Sequence, residues 1–268
     1  MSEQTSQPHG ALAGCTVVIT RPAGTGRALV KQVRALGGVP LLLPGLSLRA
    51  AADPVAACAQ WRDAQHDDAL IFTSTAAVRY AFALAPCRTQ ATVIAVGHAT
   101  ARALLRHGIH AQTPASRQDS EGLLQLPAMQ QLQGKRIALV TAPGGRGLLQ
   151  QQIVSRGGSL REVHVYGRGA ARLNKRHVDA VLQLPATACV LLSSGEALEH
   201  LMQRLPEAAW QRLCRALAVV SSERIAEQAR SAGFQRLRIA ASAGRADLLA
   251  AVEEACSSPP HEADRTGC

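Results

Sequence analysis

An internal repeat constrains this chain more than any single motif does. Cys15–Gly38 (CTVVITRPAGTGRALVKQVRALGG) aligns without a gap with Lys135–Gly158 (KRIALVTAPGGRGLLQQQIVSRGG) at an offset of 120 residues. Each copy runs from an apolar stretch through a Pro/Gly-rich turn and a helical stretch to a Gly-Gly stop. Ala69–Val78 (ALIFTSTAAV) pairs with Cys189–Leu198 (CVLLSSGEAL) at the same offset. Val93–Leu104 pairs with Leu217–Gln228 at 124, and Ser120–Leu126 matches Gly244–Ala250 more weakly. Correspondences in one order point to a duplication, with a strand–helix unit used four times in each half.

Local patterning gives the unit its class. Thr16–Thr20, Ala69–Thr73, Thr92–Val96, Arg136–Val140, Ala188–Ser193, Ala216–Val220 and Arg236–Ala240 are short apolar runs bounded by turn residues. They do not alternate with polar residues, which fits strands buried on both faces of a parallel sheet. Between them, Leu29, Val30, Val33 and Leu36 recur at helical spacing ahead of Gly37, and Ala101, Leu104 and Leu105 do so ahead of Gly108. The expectation is an α/β protein of two open parallel sheets. Val39–Leu48 (VPLLLPGLSL) and Arg161–Arg168 (REVHVYGR) occupy equivalent places in the two halves and read as extended. They are either edge strands within each half or a bridge between the halves.

Composition narrows the function. With 268 residues and 47% hydrophobic letters the chain has ample material for packed domains. No apolar run approaches the ~20 residues of a membrane span, and Met1–Gly10 has no secretory pattern. Seven cysteines are scattered with no CxxC pair and no zinc-ligand spacing, so reduced thiols in a cytoplasm and no metal are expected. Lys+Arg outnumber acids 29 to 19, which favours anionic partners. A GC-rich coding bias toward Arg and Ala accounts for the charge equally well.

In open α/β sheets ligands bind beyond the carboxyl ends of the strands. The polar residues there are Thr20-Arg21-Pro22, Thr73-Ser74-Thr75, Gly97-His98-Ala99-Thr100, Thr141 with Gly144-Gly145-Arg146, Ser193-Ser194-Gly195 and Ser221-Ser222. Hydroxyls and helix N-termini of this kind suit a polyanion held by neutral donors, although Ser and Thr serve as helix caps without any ligand. Tyr166, one of two tyrosines, is a candidate neutral donor or acid. Gly24-Thr25-Gly26 has Leu29 in place of the third glycine, so the dinucleotide fingerprint fails. The chain also lacks a Walker loop and a GxSxG elbow.

Taken in order, these residues resemble the uroporphyrinogen-III synthase family. The resemblance rests on Thr20-Arg21-Pro22, Gly37-Gly38 with Pro44, Phe72-Thr73-Ser74 with Ala77-Val78, and Val96-Gly97 with Ala99-Thr100-Ala101. Ser120-Glu121-Gly122-Leu123-Leu124, Gly134-Lys135-Arg136 and Val165-Tyr166 complete it, over about Cys15 to Val252. It implies two similar domains joined by a two-stranded connector, one of them discontinuous: 13–43 with 171–256, an inserted 51–161, and a connector of 44–50 and 162–170; the polar, Pro/Ser-containing ends, 1–12 and 257–268, read by composition as flexible tails. At the counterpart of Thr100 this chain has Arg224, where the family often has Gly and Thr.

The resemblance also implies a reaction. The substrate is hydroxymethylbilane, a linear tetrapyrrole with eight carboxylates, cyclised with loss of water and inversion of ring D to uroporphyrinogen III in haem biosynthesis. It implies no cofactor, and a cytoplasmic monomer that engages neither nucleic acid nor membrane. Tyr166 is the candidate catalytic residue. Arg21, Thr73, Ser74, Thr75, Thr100, Ser120, Arg146, Ser193 and Ser194 are the candidate substrate contacts. The alternative is a hinged two-domain protein that binds a small polyanion without consuming it. A nucleic-acid binder lacks interleaved aromatics and clustered arginines, and a phosphosugar enzyme lacks an accompanying acid or base.

Overall fold

Apolar runs too short to bury themselves become the centres of two parallel sheets, each covered by helices on both faces. The computed structural model describes residues 10–115, 117–144 and 147–257. The chain runs through β1 (Thr16–Ile19), α1 (Arg27–Ala35), β2 (Val39–Leu42), β3 (Leu46–Ala50), α2 (Pro54–Ala64), β4 (Ala69–Phe72) and α3 (Thr75–Leu84). It continues with β5 (Thr92–Ala95), α4 (His98–Leu105), α5 (Ser120–Leu124), β6 (Arg136–Thr141), α6 (Leu148–Ser155), β7 (Ser159–His164) and β8 (Tyr166–Ala170). The last third is α7 (Lys175–Leu182), β9 (Cys189–Leu192), α8 (Gly195–Arg204), α9 (Glu207–Cys214), β10 (Leu217–Val220), α10 (Glu223–Ser231), β11 (Leu237–Ile239) and α11 (Arg245–Ser257).

Two compact units result. Among the described residues one combines 10–47 with 169–257; the other is Leu48–Arg168. The first has the sheet β11-β10-β9-β1-β2 and the second the sheet β5-β4-β6-β7. Every pairing within them is parallel. Under the repeat alignment β10, β9, β1 and β2 correspond to β5, β4, β6 and β7, and they stand in the same spatial order. A single parallel bridge, Ile94 to Gln112, takes the place of β11 in the second sheet. The duplication legible in the residues is therefore also a duplication of topology.

Strand residues divide between two cores, which is why the runs do not alternate. Val17 and Ile19 pack with Leu29, Val33, Leu248 and Val252, while Val18 packs with Val190, Leu198 and Leu201 on the other face. In the second unit Leu70 and Phe72 join Trp61 and Val78, and Ile71 joins Leu123 and Ile153. Burying a side chain of this size contributes roughly 1.5–3 kcal/mol. Among the described residues no helix is long and apolar enough to cross a membrane.

The structure corrects several expectations. Each ambiguous extended segment divides into two strands: β2 and β7 close their sheets, while β3 and β8 pair in a separate two-stranded sheet. The break after β2 falls at Leu43-Pro44-Gly45. Gly45 lies so close to α8 that a Cβ would come within 2.5 Å of Ala197 O. Glu162–His164, expected in the connector, instead end β7, where they pair with Leu139, Val140 and Thr141. Leu12, expected in a flexible tail, is fully buried, and its N–H donates to Leu36 O at 2.8 Å. Ser257 closes α11 rather than starting a tail. The inward face of α4 carries Thr100, Ala103 and Leu104, and Leu105 is exposed.

Candidate active site

In the Leu48–Arg168 unit the carboxyl ends of β4 and β6, the start of α6 and the start of β8 enclose a cleft of about 270 Å³. Thr73 and Ser74 follow β4. Ser74 is the N-cap of α3 and accepts the Ala77 N–H at 3.0 Å. The same Oγ stands 3.2 Å from Tyr166 Oη, so the two hydroxyls share a hydrogen bond. The Tyr166 ring is buried and stacks on Tyr80 with centroids 5.4 Å apart and planes 11° apart. The phenol oxygen thus has a fixed position, set by a stacked ring at one end and a capped hydroxyl at the other.

Around this pair the lining is neutral or cationic. Thr73 Oγ1 donates to Val140 O at 3.3 Å and lies 3.0 Å from Thr141 Oγ1. Arg168, two residues beyond Tyr166, is held by Pro143 O at 2.8 Å from Nη2. Gly147, in the left-handed region at φ 71°, caps the N-terminus of α6 at the cleft wall, a conformation that L side chains resist. The helix start presents free N–H groups and the positive end of its dipole. Among the described residues no Asp or Glu lines the cleft, so the chemistry suits a carboxylate-bearing guest and a neutral proton donor. A larger cleft, about 750 Å³, lies at the opposite edge of this sheet, before β4 and β5, and includes Asp67 and Asp68. Its place at the amino ends of parallel strands and its acids make it the poorer candidate.

The other unit presents a second set of groups at the carboxyl ends of its strands. Ser194 caps α8, accepting the Ala197 N–H at 3.3 Å, with half-buried Ser193 before it. Ser222 caps α10 in the same way. Arg21 Nη2 donates to Ala243 O at 2.6 Å, while its buried Nε has no partner among the described residues. Burial, and after it the charge of Arg245, lowers the pKa of the Arg21 guanidinium. Arg224 is exposed on α10 and donates to Gln228 Oε1 at 3.1 Å. Thr20 is consumed by the fold: it is buried and donates to Leu191 O at 2.6 Å.

Of the expected contacts, Thr73, Ser74, Ser120 and Tyr166 come together on the one cleft. Ser120 stands just inside α5, whose cap is Asp119. Thr75 is exposed at the start of α3. Thr100 is 3% exposed on the buried side of α4 with Ala103 and Leu104, and it is not among the residues that line this cleft. Arg146 lies outside the described residues. Thr141, noted among the polar residues beyond the strands, lines the cleft as well, and Gln150 and Arg168 do so without having been selected. Arg168 carried a usable signal, since the period of two along a strand sets it on the same side as Tyr166. The absence of a metal-binding grouping also needs correction: Cys15, Cys189 and Cys256, remote in sequence, have sulfurs within 4.8 Å of one another.

Comparison with known proteins agrees with the geometry. The family profile described as "Uroporphyrinogen-III synthase HemD" matches residues 27–250. The uroporphyrinogen-III synthases of Escherichia coli K12 and Salmonella typhimurium LT2 are 33% identical over 257 residues and 31% over 252, each matching 89% of this chain and all of the relative. Among solved structures, a mutant uroporphyrinogen III synthase from the extreme thermophile Thermus thermophilus superimposes with a TM-score of 0.58 at 20% identity, covering 90% of this chain and 98% of that one. The Helicobacter pylori enzyme gives 0.57 at 14%, covering 88% and 96%; these two likenesses concern the fold. A profile spanning most of the chain, with relatives matched over their full length, establishes that the chain belongs to the uroporphyrinogen-III synthase family.

Proposed function

We propose that the chain is a lyase that cyclises hydroxymethylbilane to uroporphyrinogen III, with Tyr166 as the proton donor. The observation that carries this reading is the Tyr166–Ser74 hydroxyl pair, fixed at 3.2 Å in a cleft lined by Arg168 and no acid among the described residues. Loss of the bilane hydroxyl needs a proton on the departing oxygen, and Tyr166 Oη supplies it as water leaves. The cation that remains is an azafulvene stabilised by the pyrrole nitrogen lone pair, so modest acid help suffices. Ring D then attacks through its substituted carbon. The spiro intermediate reopens and recloses with ring D turned over, and the proton lost on closure balances the one given.

Geometry is the harder part, because free hydroxymethylbilane closes without inversion. Holding the reacting ends in the required arrangement contributes on the order of 7–11 kcal/mol in favourable cases. Arg168, the α6 N-terminus, Ser74 and Thr73, which meet at one cleft, are the groups we assign to the carboxylates. The protein works as a cytoplasmic monomer in this reading, with neither nucleic acid nor membrane engaged. Freshly made hydroxymethylbilane tests it: the type III isomer should accumulate in excess over type I. A type III to type I ratio equal to that in buffer alone overturns the assignment, and tight binding without turnover identifies the polyanion-binding protein instead.

A further inference from the structure

We infer that the unit formed by β1, β9 and α11 carries a binding site for a soft, thiophilic metal ion, held by Cys15, Cys189 and Cys256. Three elements distant in sequence build it. In the parallel register Val17 faces Cys189, so Cys15, two residues earlier on β1's leading edge, points to the same face of the sheet as Cys189. That face is covered by α11, whose buried Leu248 and Val252 stand four residues apart. One more step of four along the same helical stripe reaches Cys256. The fold therefore delivers two sulfurs from strand starts and one from a helix end to a single point.

The distances suit coordination. Cys15 Sγ and Cys189 Sγ are 3.8 Å apart, and all three sulfurs lie within 4.8 Å of one another. Metal–thiolate bonds of about 2.3 Å at tetrahedral angles place sulfurs roughly 3.8 Å apart, whereas a disulfide needs about 2.05 Å. The triad is thus spaced for an ion between the sulfurs and too open for a bond between them. Three thiolates and no imidazole or carboxylate in the group select ions such as Cu(I) or Zn(II) over hard ones. Cys15 and Cys189 are buried and Cys256 is exposed, which gives an ion a way in from solvent and a largely dry seat.

Coordination forms three metal–sulfur bonds and releases the thiol protons to solvent, with no electron transferred. The location is at the amino ends of β1 and β9, opposite the end that presents Arg21 and Ser194. The ion would clamp the last turn of α11 to the sheet, and turnover does not depend on it.

The test is an anaerobic titration of the reduced full-length protein with Cd(II), read by sulfur-to-metal charge-transfer absorption, with Zn(II) as competitor. One equivalent, bound through sulfur and displaced by excess Zn(II), is expected. Cys256→Ser, at an exposed position that leaves the fold intact, should abolish the band. Zn(II) should raise the Tm of the parent protein and leave that of C256S unmoved. No band in the parent, or a band that persists in both C256S and C189S, overturns the site. Either result leaves the type III to type I product ratio, and the reading that depends on it, untouched.

Discussion

Tyr166 is useful because its surroundings leave its oxygen little freedom. Its ring stacks on Tyr80, so Tyr166→Phe keeps the stack and removes only the Oη contact with Ser74. Since the leaving step forms a stabilised cation, the variant should lose about a hundredfold in kcat with little change in KM. Initial rates on fresh hydroxymethylbilane check this; complete loss with intact binding would show that activation by one acid outweighs distributed positioning. Arg168 should behave in the opposite sense. Arg168→Ala removes a cation from the cleft wall and should raise KM roughly tenfold with kcat nearly constant, and Arg168→Lys should recover part of the loss. Tyr166 was legible in the sequence because tyrosine is rare here and this one ends an extended segment. Arg168 was overlooked because arginine is abundant and its partner Pro143 O is 25 residues away. Thr100 shows a related limit: in sequence a hydroxyl at a helix start looks the same whether it is open to a cleft or, as here, buried on the same side of the helix as Ala103 and Leu104.

At the scale of elements, the strands were readable because parallel sheets buried on both faces demand unbroken apolar runs, and β4 and β9 are buried at every position. Their ends shifted by about a residue, and only the pairing fixes those. The division of residues 39–48 and 161–168 into two strands each was not legible. β-Propensity is the same for a strand at a sheet edge and one in a two-stranded ribbon, and the partner decides which it becomes. Gly45 marks one such division. Gly45→Ala should destabilise the protein by about 1–3 kcal/mol, because its Cβ meets the backbone at Ala197, which cannot yield as a side chain can. Urea unfolding followed by circular dichroism measures the shift in midpoint. Leu12 was missed because one apolar residue in a polar stretch carries no period.

At the scale of the whole molecule two bulk properties become testable. The formal charge of +10 should favour encounter with a substrate bearing eight carboxylates, so KM should rise with ionic strength while kcat holds. A salt series in an inert electrolyte checks it. Stability should also fall in alkali. Burial holds the Cys87 thiol up at about 11, and burial together with Glu207 does the same for Cys214. The unfolded chain loses these protons from about pH 9, while the folded chain keeps them until about 11. The stabilisation is thus complete below pH 9 and disappears as pH rises through 11. Thermal melts across that range should show a declining Tm, and Cys87→Ala with Cys214→Ala should flatten the decline.

The discontinuous unit imposes an order on the chain's birth. β1 lies between β2 and β9 in its sheet, and the Val17–Cys189 pairing spans the entire Leu48–Arg168 unit. A nascent chain leaving the ribosome can complete the Leu48–Arg168 unit as soon as β8 emerges. The earlier-made β1 must by then have waited, its Val17, Val18 and Ile19 still without the neighbour that will cover them. That interval scales with translation speed, and until it ends β1 carries exposed apolar surface of the kind a chaperone shelters.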